Sequence, residues 1–399
     1  MTLPRIQFGR PQQLAALLLL VFSLLGLYRI AHAPLTETDY RYAHCGREMW
    51  ERPSPLLGYF TSCGNMQGDG TFAYRVAGLP LTMQRWTLLA ADHFRKPENK
   101  LYPGDTLNGS TWEARHQLSY VNWLLRLPFL CFGVWLGGAL WWVARRLFGN
   151  EGGFFALGLY SFCPEVLRIS TTPNNEILAA WGIFGLIYTG IGVAHAMQGP
   201  RRKWKPRILL LTLALGLTAT AHILAAVIGY IIAFVLMMYL GERRRGPVMQ
   251  AMVLAAVGSI AIVFAFFSFR IGPFSYVFTA GAARFWFSLN GASLFFANWM
   301  ENAAIEIALL VSLFLWFTVR RSRYFGNTVP LLVALLLLPM VSTSVRSAPW
   351  IWALPFLFAF AGGVFADALE TKQRKLFLAL SGALLLTQLL VAATWLVVS

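Results

Sequence analysis

Apolar runs of roughly 20 residues recur along this chain between short clusters of arginine and lysine, and that alternation decides what it can fold into. A helix needs about 20 such residues to cross about 30 Å of hydrocarbon. With 57% hydrophobic and 13% charged residues and a mean hydropathy of +0.57, the composition excludes an ordinary soluble domain. The reading is an all-α polytopic membrane protein. The runs predict about eleven transmembrane helices, near 12–31, 119–143, 152–169, 177–197, 207–221, 222–240, 248–269, 301–319, 328–345, 349–367 and 376–398. Because 207–240 is basic at both ends, it enters and leaves on one side as two short helices.

Lysine and arginine collect in short cytoplasmic loops. Arg145 and Arg146, 201–207, 243–245, 320–323 and 372–375 therefore mark the cytoplasmic side. The N-terminus falls inside and the C-terminus outside, with 32–117 as one large extracytoplasmic loop of a single domain over 1–399. No separate soluble domain is expected. The run 14–30 has the look of a secretory signal, with Arg5 and Arg10 before it and Ala31-His32-Ala33 after it, but Pro34 disfavours cleavage. It reads as a retained anchor.

The large loop carries nine basic and nine acidic residues, so the net charge of +16 arises elsewhere. Most of it sits in the cytoplasmic clusters, which makes the basic balance a matter of orientation and not of nucleic-acid binding. Six arginines remain, all at the outer ends of spans or in outer loops: Arg29, Arg126, Arg168, Arg270, Arg284 and Arg346. A guanidinium fork grips phosphate oxygens with two hydrogen bonds, where lysine offers a point charge. Outer arginines facing a cavity can therefore hold a lipid phosphate. Arg29 and Arg270 are read as snorkelling to the interface.

Within the loop, Tyr40 to Glu51 and Met83 to Phe94 read as amphipathic helices lying on the membrane surface. Pro53, Pro55, Gly58, Gly64, Gly68, Gly70 and Gly78 should break up anything regular between them. Arg47 and Glu48 are expected to pair on the first of these helices. Cys45 and Cys63 share the loop and could form a disulfide in an oxidising compartment, whereas Cys131 and Cys163 fall in helices as packing residues. Nothing has zinc spacing. The densest polar cluster, 36–49, stands immediately after the first span, and carboxylates at a bilayer edge are costly enough to suggest work on a substrate.

Arg41-Tyr42-Ala43 followed by Arg47-Glu48-Met49 resembles the start of the first outer loop in GT-C glycosyltransferases, in the branch of protein O-mannosyltransferases and lipid A aminoarabinose transferases. A second block agrees: Leu125-Arg126-Leu127-Pro128, then 144–149, then Ser161-Phe162-Cys163-Pro164. Weaker echoes occur at 216–222, where relatives often carry lysine in place of His222, and at 346–355. In the family an acidic pair precedes Arg-Tyr-Ala; here Thr38 and Asp39 stand there, with Glu37 one residue earlier.

The resemblance implies a transferase that moves a sugar from a polyprenyl-phosphate donor to a lipid, glycan or protein acceptor outside the cytoplasm, in a bacterial inner membrane. Asp39 would be the general base, with Glu37 as its helper or as co-ligand of a divalent cation (magnesium or manganese), since some GT-C enzymes use a metal and others none. Arg126, Arg346, Arg168 and Arg284 would bind the donor phosphate, and Glu176, Tyr42 and His222 the substrate. A transporter or flippase of a lipid-linked glycan is the rival reading, as is a surface-glycan polymerase or ligase. A transporter would show two similar halves, and no internal repeat is found.

Overall fold

A computed structural model describes residues 9–51, 70–94, 120–199, 204–271, 285–287, 299–342 and 350–398. The helices are α1 (Arg10–His32), α2 (Glu37–Glu51), α3 (Phe72–His93), α4 (Val121–Ser161), α5 (Pro164–Ser170), α6 (Glu176–Met197), α7 (Trp204–Ala221), α8 (Ile223–Leu240), α9 (Arg245–Phe266), α10 (Trp299–Thr318), α11 (Phe325–Leu337), α12 (Trp350–Leu369) and α13 (Arg374–Val398). β1 (Phe285–Phe287) and β2 (Met340–Ser342), of three residues each, are the strands among the described residues. This is an all-α polytopic membrane protein. Among the described residues, eight helices are long and apolar enough to cross a membrane.

The difference from eleven spans has local causes. Residues 121–161, labelled α4, are two helices that fold back on each other at Gly149, whose φ of +82° is a left-handed conformation that glycine adopts without strain. The Tyr160 hydroxyl donates to the Gly133 carbonyl at 2.6 Å, so spans 119–143 and 152–169 run side by side as two arms that count once among the eight. Pro164 then starts the separate short helix α5. The span expected at 328–345 is the 13-residue α11, too short to cross, which gives way to β2. The pair at 207–240 forms two helices, α7 and α8, of which α8 is among the eight and α7 is not. His222, whose extended backbone (φ −152°, ψ 116°) separates them, ends one helix and starts the next.

The chain forms two compact units. In the first (1–29, 133–168 and 286–399), α10 packs on α12 and α13, and α11 packs on α12. Leu315, Leu331, Phe360, Val364 and Ala368 form its apolar cluster. Almost every residue of α12 is buried, whereas α13 leaves most of its surface open.

In the second unit (30–132 and 169–285), α6 packs on α7 and α8, and α9 packs on α7. Leu186, Leu211, Leu215, Met237, Val248 and Met252 fill the centre. The α2–α3 pair belongs to this unit, and α3 begins eleven residues before the expected Met83. Gly78 does not interrupt it: Gly78 lies inside α3 and touches Gly46 of α2, backbone against backbone. A Cβ on Gly46 would lie 2.2 Å from the Tyr74 carbonyl oxygen, and one on Gly78 would lie 2.1 Å from the Gly46 carbonyl carbon. Only glycine fits either position. Thr71 Oγ1 and Arg75 Nε both donate to the Phe266 carbonyl, so α3 also satisfies the open C-terminal end of α9.

Candidate active site

The site is built from the turn that leaves α1. Thr36 and Asp39 form a capping box at the start of α2. The Asp39 amide donates to Thr36 Oγ1 at 3.2 Å, while Asp39 Oδ2 accepts from the Thr36 amide at 2.8 Å and from Thr36 Oγ1 at 2.9 Å. A carboxylate in the first turn also suits the positive end of the helix dipole.

Arg126, in the second turn of α4, completes the arrangement. Its Nη2 donates to Asp39 Oδ2 at 2.7 Å and to the Pro34 carbonyl at 2.7 Å, Nη1 donates to the Ala33 carbonyl at 2.8 Å, and Nε approaches Asp39 Oδ1 at 3.4 Å. One turn earlier, the Asn122 amide donates to the Ile30 carbonyl. The start of α4 is thus clamped to the exit of α1. Asp39 and Arg126 are each about 1% exposed, so water competes little for the pair.

These bonds divide the two oxygens of Asp39. Oδ2 takes three donors, while Oδ1 has one long contact and keeps capacity to accept a proton. Arg126 uses four of the five N–H groups of its guanidinium on Asp39 and the 33–34 backbone, which leaves no fork for a phosphate. Glu37, in the same turn, is exposed, as is Thr38. The pair does not suit a divalent cation: Oδ2 is saturated, and the guanidinium puts positive charge where the ion would sit.

Tyr42 is buried and stacks on Tyr74, ring centroids 4.3 Å apart, at the α2–α3 contact. Arg47 does not pair with Glu48 on a surface. It is buried and grips Glu51 with Nε and Nη2, at 2.9 and 3.1 Å. Glu51 also accepts from Thr82 Oγ1 at 3.0 Å and from Arg85 Nη1 at 2.8 Å, so one buried carboxylate ties α2 to α3. Glu48 is buried as well. The sequence reading missed this network because both helices were placed on the membrane surface and not against each other.

Glu176 is buried in the first turn of α6, and His222 is buried at the α7–α8 break. Arg168 belongs to the other unit and pairs with Glu165 through Nε at 2.8 Å. Arg284, Arg346 and Cys63 lie outside the described residues. Cys45 is disulfide-bonded, whereas Cys131 and Cys163 carry free thiols, with Cys131 exposed and not packed inside.

No family model and no curated protein matches the sequence. The fold is shared with known structures. ArnT from Cupriavidus metallidurans bound to undecaprenyl phosphate superposes with a TM-score of 0.62 at 16% identity, over 96% of this chain and 63% of that one. Its apo form gives 0.58 at 16% identity, over 91% and 60%. An Archaeoglobus fulgidus oligosaccharyltransferase in complex with zinc and sulfate gives 0.55 at 11% identity, over 96% and 53%. The chain spans a little over half the length of these proteins. The architecture is the GT-C fold that the sequence resemblance implied.

Proposed function

We propose that this protein is a membrane glycosyltransferase that takes a sugar from a polyprenyl-phosphate donor and passes it to an acceptor hydroxyl or amine on the extracytoplasmic side. The observation that carries the reading is the Asp39–Arg126 pair: a buried carboxylate at the mouth of the first membrane helix, oriented by two neighbours, in a GT-C fold. The basic clusters, read as cytoplasmic, support an extracytoplasmic position for this corner.

Asp39 Oδ1 takes the proton of the incoming nucleophile as its heteroatom bonds to the anomeric carbon. The bond from that carbon to the phosphate oxygen breaks, and the polyprenyl phosphate leaves with the electron pair. Arg126 holds the carboxylate in place and keeps Oδ2 occupied, so it is a positioning residue. Guanidinium groups stabilise the negative charge that develops on the departing phosphate, and Arg346, Arg284 and Arg168 are the candidates. Glu176 and His222 are assigned to the substrate. No step is routed through a metal.

The test is transfer by the full chain in liposomes, read by mass spectrometry as polyprenyl phosphate released from a panel of polyprenyl-phosphoryl sugars. Wild type should release the lipid when an acceptor extract is present, and Asp39→Asn should not. Wild-type turnover by Asp39→Asn would remove the base from this scheme. Glycolipids and glycoproteins compared with and without the gene then name the acceptor.

A further inference from the structure

The turn between α5 and α6 reads Ser170-Thr171-Thr172-Pro173-Asn174-Asn175-Glu176, and its two asparagines do different work. Asn174 makes the turn: its Nδ2 donates to the carbonyls of Ile169 and Thr172 at 2.7 Å each and to Thr172 Oγ1 at 3.1 Å. Its Oδ1 accepts from the Ile177 amide at 3.1 Å. That last bond is the side-chain cap of α6. Asn175, which stands at the N-cap position itself, makes no side-chain cap bond.

The Asn175 carboxamide is buried, with the residue 4% exposed, yet neither its Oδ1 nor its Nδ2 has a hydrogen-bond partner among the described residues. Ser170 Oγ, at the other end of the turn, is in the same condition and fully buried. Buried polar groups without partners are rare, because each gives up its hydration without return. Three unmet polar atoms on one short turn point to something outside the chain that meets them. Glu176, also buried, follows directly.

The chemistry narrows the occupant. An amide offers one acceptor and a pair of donors, and a serine hydroxyl offers both functions, which complements neighbouring hydroxyl groups. A helix N-terminus by itself favours an anion, but the Glu176 carboxylate at this one opposes a phosphate. We infer that this turn is a hydroxyl-binding subsite, in which Asn175 and Ser170 hold the sugar ring of the donor and select which sugar is used. The inference rests on the sugar-transfer reading and adds to it a place for the sugar, in the same unit as Asp39.

Native mass spectrometry of the full chain in nanodiscs tests this, with bare polyprenyl phosphate titrated beside a panel of polyprenyl-phosphoryl hexoses and pentoses. Wild type should bind at least one sugar-bearing lipid about tenfold more tightly than the bare lipid, the scale of a net hydrogen bond or two. Asn175→Ala should abolish that preference and Ser170→Ala should reduce it, both with unchanged affinity for bare polyprenyl phosphate. A preference that survives both variants, or a wild type that binds bare and sugar-bearing lipids alike, overturns the subsite while leaving the phosphate-binding reading in place, with ordered water as the occupant. Equal loss of affinity for both lipids would make the turn structural and also overturn it. Failure of wild type to bind any polyprenyl lipid removes the transfer reading, and the subsite with it.

Discussion

Arg126 reaches across 87 positions of sequence to bond both oxygens of Asp39, at 2.7 and 3.4 Å, with neither residue more than 1% exposed. The acid proposed to do chemistry is therefore also a structural member of the corner that holds it.

Breaking one side of a buried ion pair leaves a charge in a site that water does not reach, at a cost of about 3–5 kcal/mol. Asp39→Asn and Arg126→Gln should each lower the thermal midpoint of the detergent-solubilised protein. The double variant should fall short of the summed losses, because neither charge is then left unpaired. Strictly additive losses would mean that the pair is not coupled.

This coupling complicates a simple reading of Asp39→Asn as a catalytic probe, and Glu37 supplies the control. Exposed in the same turn, Glu37 can become Gln with little effect on folding. If Asp39 is the base, Asp39→Asn lowers turnover by about 100-fold or more in the fraction that remains folded. Glu37→Gln should then stay within about threefold of wild type, a range too small for loss of the base. The reverse pattern would move the base to Glu37.

Part of this corner could be read in the sequence. Thr36 and Asp39 stand three apart ahead of an amphipathic stretch, the spacing of a capping box, so the start of α2 was available from local pattern. The partnership with Arg126 was not, since nothing local says which of six outer arginines returns to the loop. Gly78 misled for a related reason. A glycine among other glycines and prolines reads as a breaker, and only the approach of Gly46 shows that its missing Cβ is what lets two helices touch. The shortness of α11 was equally hidden, because apolar residues continue past Leu337 into β2.

The α2–α3 crossing can be tested through those glycines. A methyl group on Gly46 would meet backbone atoms that cannot rotate away, so Gly46→Ala should cost at least the ~1–3 kcal/mol of an overpacked core and separate α2 from α3. Gly185 in α6 is the control, with no atom within 4 Å of a Cβ placed there. Gly185→Ala should be neutral, or stabilising by up to ~1 kcal/mol from helix propensity. Equal midpoints for the two variants would contradict the close crossing.

Glu51 offers a further test of the same pair of helices. It accepts four hydrogen bonds from Arg47, Thr82 and Arg85 with its side chain fully buried. Glu51→Ala should strand two guanidinium groups and destabilise the protein by about 3–5 kcal/mol, visible as a loss of folded material in size-exclusion chromatography. Thr82→Val removes one neutral bond and should cost only about 1 kcal/mol. Similar costs for the two would deny Glu51 its central place.

Thiol chemistry reports on the loop. With Cys45 bonded and Cys131 and Cys163 free, maleimide should label two cysteines in unreduced, denatured protein and four after reduction. In the folded protein the exposed Cys131 should react before the buried Cys163. Four labels without reductant would show that Cys45 is unbonded.

The burial of α12 separates two influences that usually act together on a membrane helix. Helices such as α1 and α13, with most of their surface open, answer to the thickness and headgroups of whatever bilayer surrounds them. Wrapped by protein along nearly its whole length, α12 answers only to its neighbours. Changing the lipid should act on this protein from its periphery inward, while changing residue 356, 358 or 360 should act identically in every membrane.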